Sequence, residues 1–222
     1  MSTPFRPSGF LRWAPLSGLV YVVLFVVGLI LLDGGRPDAD AAPSKVIPYY
    51  QDSGHRDRIH LGALLILIGV FFLIWFVASM RELVRAYSGD GMLAAIAAIG
   101  GAVYAALTLA AAGLEDAIYT MSDDTFGHAV YPGLIHAAND AGYVLHSVGG
   151  VGVGAMIIAV SLALLGARAV PAWLGWLSLA AGIVSIFAVF FFPWIVIAVW
   201  LIVASILATR AFGRFSAGAA PA

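Results

Sequence analysis

The chain has 222 residues, of which 62% are hydrophobic and 10% charged, with a formal net charge of −1 and no cysteine. A soluble domain is about half apolar and a quarter charged, so an ordinary globular enzyme and a nucleic-acid binder are excluded. The lack of cysteine excludes disulfides, cysteine-ligated iron–sulfur clusters and thiol chemistry.

The first apolar run covers about residues 14–32 and follows Arg6 and Arg12. It exceeds the apolar core of a secretory signal, and Ala39-Asp40-Ala41 lies too far along to be its cleavage site, so a retained membrane helix is expected. Residues 33–59 form the longest polar segment, broken by Pro37, Pro43 and Pro48. They should lie over the mouth of the bundle, with PSKVIPYYQDSG helical at the interface. Helices over 60–80 and 92–114 follow, each near the ~20 residues that cross a bilayer. In the third helix Gly100, Tyr104, Thr108, Ala111 and Glu115 share one face at about 100° per residue.

The fourth helix, 132–166, opens with LIHAANDAGYVLHS. Taking His136 as zero, Asp140, Tyr143 and Ser147 fall within about 40° of it, and Asn139 and His146 lie roughly 60–80° to one side. Ionisable groups seldom face lipid, so this stripe and that of the third helix are expected to meet across a cavity. Gly150 and Gly154 continue the stripe as a small-xxx-small pair suited to close helix approach. Helices over 172–192 and 194–210 complete the set, with only FFFPW between them. Pro193 leaves two spans or one kinked element open. The expected fold is therefore all-α, a polytopic transmembrane bundle of six helices in one membrane domain, 1–222.

Basic residues set the orientation. With the N-terminus in the cytoplasm, Arg6, Arg12, Arg81, Arg85, Arg168, Arg210 and Arg214 fall inside, and Arg36, Lys45, Arg56 and Arg58 outside. Of the acids only Glu82 and Asp90 fall inside. Both termini are thus expected in the cytoplasm of a cell membrane. Trp13, Trp173 and Trp176 would form the inner aromatic belt, and Tyr49, Tyr50 and Tyr119 the outer one. The second and fourth helices both run from a histidine to an arginine, as HLGALLILIGVFFLIWFVASMR and HSVGGVGVGAMIIAVSLALLGAR. That pattern admits a weak parallel repeat relating helices 2–3 to helices 4–5.

All five histidines, His55, His60, His128, His136 and His146, fall in outer loops or outer helical turns. Histidine with carboxylate suits a divalent metal. His136-x3-Asp140 presents two ligands from one helix, with His60 and His146 completing a candidate metal set. Tyr104, Thr108, Glu115, Asn139 and Tyr143 are the candidate ligand-binding residues. For any one of these residues the commoner role is an interfacial anchor or an interhelical hydrogen bond.

The short basic start, the loop DGGRPDADAAPSKVIPYYQDSGHRDRI and the segment RAVPAWLGWLSL give the chain, over nearly its full length, a texture that resembles a broad group of six-helix integral membrane proteins of actinobacterial type, a domain of unknown function. The resemblance implies fold and location, and carries no catalytic residue. Ten of the eleven basic residues are arginine, a bias of GC-rich bacterial genomes.

Three functions fit. First is a binding or accessory protein holding a small ligand or cation in an outward polar His/Asp/Glu cavity, alone, as a homo-oligomer or beside a partner membrane protein. Second is a small-solute transporter or channel, set back by the absence of charge near the bilayer midplane. Third is a membrane-embedded metal-dependent hydrolase. Haem on His60 and His146 ranks last. No Walker, Rossmann or HExxH pattern favours an enzyme.

Overall fold

The computed structural model describes residues 9–38, 40–123 and 130–216. Arg6 and His128 lie outside the described residues. The chain is a multi-pass, all-α bundle, with seven α-helices and no strand among the described residues. A 3-10 helix, Gly9–Leu16, leads into α1, Ser17–Asp33. A short α2, Pro43–Gln51, is followed by three long helices: α3, Ser53–Ser88; α4, Gly91–Ser122; and α5, Pro132–Gly166. Then come α6, Ala172–Ser185, a 3-10 turn at Ala188–Phe190, and α7, Phe192–Ser216.

Five of these segments are long and apolar enough to cross a membrane: Gly9–Asp33, Ser53–Ser88, Gly91–Ser122, Pro132–Gly166 and Phe192–Ser216. The fifth expected span is instead the 14-residue α6, about 21 Å long against a hydrocarbon core of ~30 Å. FFFPW does separate two elements. Phe191 takes a left-handed φ of 64° there, and the chain reverses into α7.

α3 and α4 overrun the expected spans 60–80 and 92–114, with polar residues capping their first turns, whereas α5 has the expected bounds. Asp52 accepts the His55 N–H at 2.9 Å, and Asp90 accepts from the Met92 and Leu93 N–H groups at 2.8 and 3.0 Å. Gly89, with a φ of 64°, closes α3 through its N–H to the Arg85 carbonyl. At 36, 32 and 35 residues, α3, α4 and α5 are about 48–54 Å long, well beyond the hydrocarbon core. The end that carries α2, with the start of α3, the end of α4 and the start of α5, is called here the head. The opposite end, where α3 turns into α4, is the foot.

The bundle core is formed by α1, α3, α4, α5 and α7, with Leu73, Phe76, Met80, Met156, Ile157 and Leu201 fully buried. A second apolar cluster fills the head, where Val46 and Tyr50 of α2 pack with Leu32, Ile59, Ile118 and Ile135. Tyr49 and Tyr50 are therefore buried rather than placed in an aromatic belt. Trp13, Trp173 and Trp176 are exposed, as a belt requires.

Glycine sets the tightest crossings. A Cβ on Gly28 would lie 2.8 Å from the Gly62 carbonyl oxygen, and one on Gly62 would lie 2.8 Å from that of Gly28, so α1 and α3 touch backbone to backbone. On α5, Gly152 sits against the Gly100 carbonyl of α4, and Gly154 against Gly182 of α6. Such contacts let dispersion act over the whole interface where lipid gives no hydrophobic drive.

Candidate ligand site in the head

The two polar stripes meet only in part: the α4 stripe faces α5, but Asp140 is exposed and Tyr143 turns to Val189, and no open cavity of the expected kind is found between them among the described residues. On α4, Tyr104, Thr108 and Glu115 point toward α5, where glycines leave room for them. Gly149 packs on Tyr104, and a Cβ on Gly142 would stand 3.4 Å from the Glu115 carboxylate. The Thr108 hydroxyl and His146 Nδ1 are hydrogen-bonded at 3.2 Å. His146 itself is buried, with its ring stacked on Phe25 at 4.9 Å and edge-on to Trp194 at 4.5 Å. Nearby the Tyr21 hydroxyl donates to that of Tyr104 at 2.9 Å. A void of about 20 Å³ lies among Tyr21, Phe25, Tyr104, His146 and Trp194. That is room for one water, which needs roughly 10–15 Å³.

Closer to the head surface the carboxylates are matched by cations from other elements. Arg36, in the segment after α1, forms an ion pair with Glu115, and the two side chains are only 14% and 12% exposed. Burial works to lower the proton affinity of the Arg36 guanidinium. The Glu115 charge and hydrogen bonds outweigh it, and the group is held above its ordinary value. His60 Nδ1 lies 2.5 Å from Asp116, with its ring stacked on Tyr119 at 4.6 Å. Arg56 donates to the Tyr50 and Gln51 carbonyls at 3.2 and 2.8 Å, satisfying the last turn of α2. Arg58 donates to the Gly34 carbonyl and to the Tyr49 hydroxyl. Burial pushes that phenol up, against the pull of Arg58.

The remaining expected residues divide. His136 Nδ1, Asn139 Oδ1 and Ser147 Oγ are buried atoms with no hydrogen-bond partner. Asp140 is exposed on the far side of α5. Tyr143 donates to the Val189 carbonyl at 2.6 Å and packs on Trp194, which ties α5 to the turn before α7. Of the four expected metal ligands, His60 is engaged with Asp116, His146 with Thr108, and Asp140 faces away. Among the described residues no three His, Asp or Glu side chains converge on one centre.

Arg36, Asp116, Tyr21 and Trp194 belong to this region and were not singled out by the sequence. Asp116 carried a signal, being adjacent to Glu115. Arg36 carried none, because no periodicity governs a connecting segment. No family model, curated protein or solved structure matches the chain, so the function rests on geometry and chemistry.

Proposed function

We propose that the chain is an integral membrane binding protein that receives a small hydrogen-bonding or cationic ligand in the head, between α4 and α5. The observation that carries this reading is the set of unpartnered atoms on α5, His136 Nδ1, Asn139 Oδ1 and Ser147 Oγ, on the helix that faces Glu115. A buried polar atom without a partner costs about 1–3 kcal/mol, so each of these is a group that a bound ligand could satisfy. A ligand bearing N–H groups would satisfy the Asn139 oxygen and lie beside the Glu115 carboxylate. Tyr104, Thr108 and His146 would floor the site, and Tyr143 would brace its wall.

A divalent cation is the second reading, favoured by the free His136 nitrogen. It would use His136 with Asn139 or Glu115, and would need Asp140, His60 or His146 to turn toward it.

The proposed setting is a bacterial cell membrane with the head outside and both termini in the cytoplasm. Arg12, Arg81, Arg85, Arg168, Arg210 and Arg214 lie toward the foot, which supports that orientation. A sixth crossing is part of the proposal, because α6 and the 3-10 turn together run along α5 from Leu165, against Gly175, to Tyr143, against Val189. The repeat is proposed for α3 and α5 alone, which have the same direction and lengths of 36 and 35 residues. The exposed faces of α6 and α7 leave room for a second copy or a partner membrane protein.

Binding is tested by calorimetric titration of the protein in nanodiscs with guanidinium, ammonium, zinc, copper and manganese. At least one should bind below about millimolar, and Asn139→Leu should weaken it about tenfold, near 1.4 kcal/mol. No binding by any probe, or equal binding by the variant, overturns the proposal. Orientation is tested with single-cysteine variants, which the cysteine-free chain makes unambiguous. An impermeant reagent should label Ser44→Cys and spare Ser88→Cys in intact cells, and the reverse pattern would invert the assignment.

A further inference from the structure

A large cavity lies far from the head. A groove of about 650 Å³ runs between α6 and α7 over the flanks of α3 and α5, within the ~300–1,000 Å³ of small-molecule sites. Its walls are apolar, with Leu174, Leu177, Val199, Val203, Ala204 and Leu207 among them. The two helices are kept apart and in register by one polar connection on the floor. Trp200 Nε1 donates to Ser178 Oγ at 2.7 Å, and Ser161 Oγ donates to the Ile157 carbonyl at 2.7 Å. With the Ser161 hydrogen so used, the 2.6 Å contact between the serines has Ser178 as donor. The Trp200, Ser178 and Ser161 donors are all used, so the floor offers a ligand no free donor, and what lies over it must be apolar.

The foot end of the groove has the opposite character. Arg210 and Arg214 line its mouth together with Tyr87, and both arginines are exposed. Neither guanidinium meets a carboxylate among the described residues. From Arg210 to Trp200, α7 rises about 15 Å at 1.5 Å per residue, which matches half of the ~30 Å hydrocarbon core. A cationic mouth thus stands one leaflet's depth from the polar floor, joined to it by an apolar channel.

We infer that this groove binds an anionic glycerophospholipid of the surrounding leaflet, with its phosphate between Arg210 and Arg214 and one acyl chain along α7 toward Trp200. The phosphate accepts hydrogen bonds from the guanidinium forks, whose planar donors suit it. The Tyr87 hydroxyl, at the same mouth, is a further donor. The acyl chain covers the walls that α6 and α7 leave open to each other. Basic clefts between membrane helices recognise anionic headgroups in this way, each arginine adding to the preference. The site is independent of the head, which lies at the other end of the bundle.

The test is native mass spectrometry of the full chain released from nanodiscs of mixed phosphatidylglycerol and phosphatidylcholine. The intact protein should retain phosphatidylglycerol over phosphatidylcholine by about tenfold. Arg210→Gln with Arg214→Gln should abolish the preference; both residues are exposed, so the bundle still folds. Ala204→Phe, which fills the channel, should reduce retention of both lipids. If that variant fails to fold, as seen by circular dichroism and gel filtration, the arginine pair decides alone. Equal retention of the two lipids by the native chain would overturn the inference. So would displacement of the lipid by inorganic phosphate, which would reveal a site for a free anion.

Discussion

At the head, Arg36 lies against Glu115 with both side chains largely buried, whereas at the foot Arg210 and Arg214 project from α7 with no carboxylate beside them among the described residues. The same side chain serves two ends of one bundle, and the surroundings decide its use. Arg36 is removed from water, where an unpaired charge costs several kcal/mol, so its partner must come from the protein. Arg210 and Arg214 sit on the last two turns of a helix, where long cationic side chains reach the interface and stay hydrated. Their partner can come from outside. Charge in the head is therefore part of the fold, and charge at the foot is available for binding.

The largest effect should come from breaking the buried pair. Glu115→Leu leaves the buried Arg36 guanidinium only the exposed Asp33 carboxylate, 3.9 Å away, as counter-charge and should lower stability by about 3 kcal/mol. Reversible unfolding in bicelles measures this. The double variant Arg36→Met with Glu115→Leu should recover most of the loss, and if it unfolds as readily as the single one, the pair is not what the charge requires.

A smaller effect is expected at the groove floor. Trp200→Phe removes the donor to Ser178 and should cost about 1 kcal/mol. Spin labels on α6 and α7 should then report a broader distance distribution, while labels across α4 and α5 stay unchanged. Uniform broadening would place the role of Trp200 in general packing.

The exposed pair comes next. His60 and Asp116 side chains are 45% and 35% exposed, and exposed ion pairs contribute about 0–1 kcal/mol and weaken in salt. Asp116→Asn should fall in that range, with a difference from the native chain that vanishes at high ionic strength. Arg210→Gln should shift stability least, within about 0.5 kcal/mol. A large loss there would remove the contrast between the two ends.

Helical spacing alone placed Tyr104, Thr108 and Glu115 on one face, because 100° per residue leaves a single stripe on α4. On α5 it put His136, Asp140, Tyr143 and Ser147 on one face with Asn139 and His146 to one side, and gave no ground for separating them. That separation belongs to the glycines. Gly142, Gly149 and Gly152 form the side that α4 approaches, which carries His146 inward and leaves Asp140 outside. Read as packing marks, those glycines would have separated His136 from Asp140. The break after Ser185 left no trace in an apolar run that continues to Phe192, because a 3-10 turn of aromatic residues has the same hydropathy as a helix. The Arg36–Glu115 pair joins positions 79 residues apart, a separation that local periodicity does not reach.

α7 closes the bundle on α1. α7 packs on α1 and on the 3-10 helix before it, while each of α3, α4, α5 and α6 packs on its predecessor in the chain. Gly18 of α1 is pressed so closely that a Cβ there would stand 2.9 Å from a Phe76 ring carbon and overlap Ser205 of α7. During synthesis the α7-facing side of α1 stays bare until α7 has left the ribosome. A chain stopped before Phe192 would keep the α1–α3 and α4–α5 crossings yet expose that side, a seam that membrane proteases can grip. Arrival of α7 is thus registered on α1.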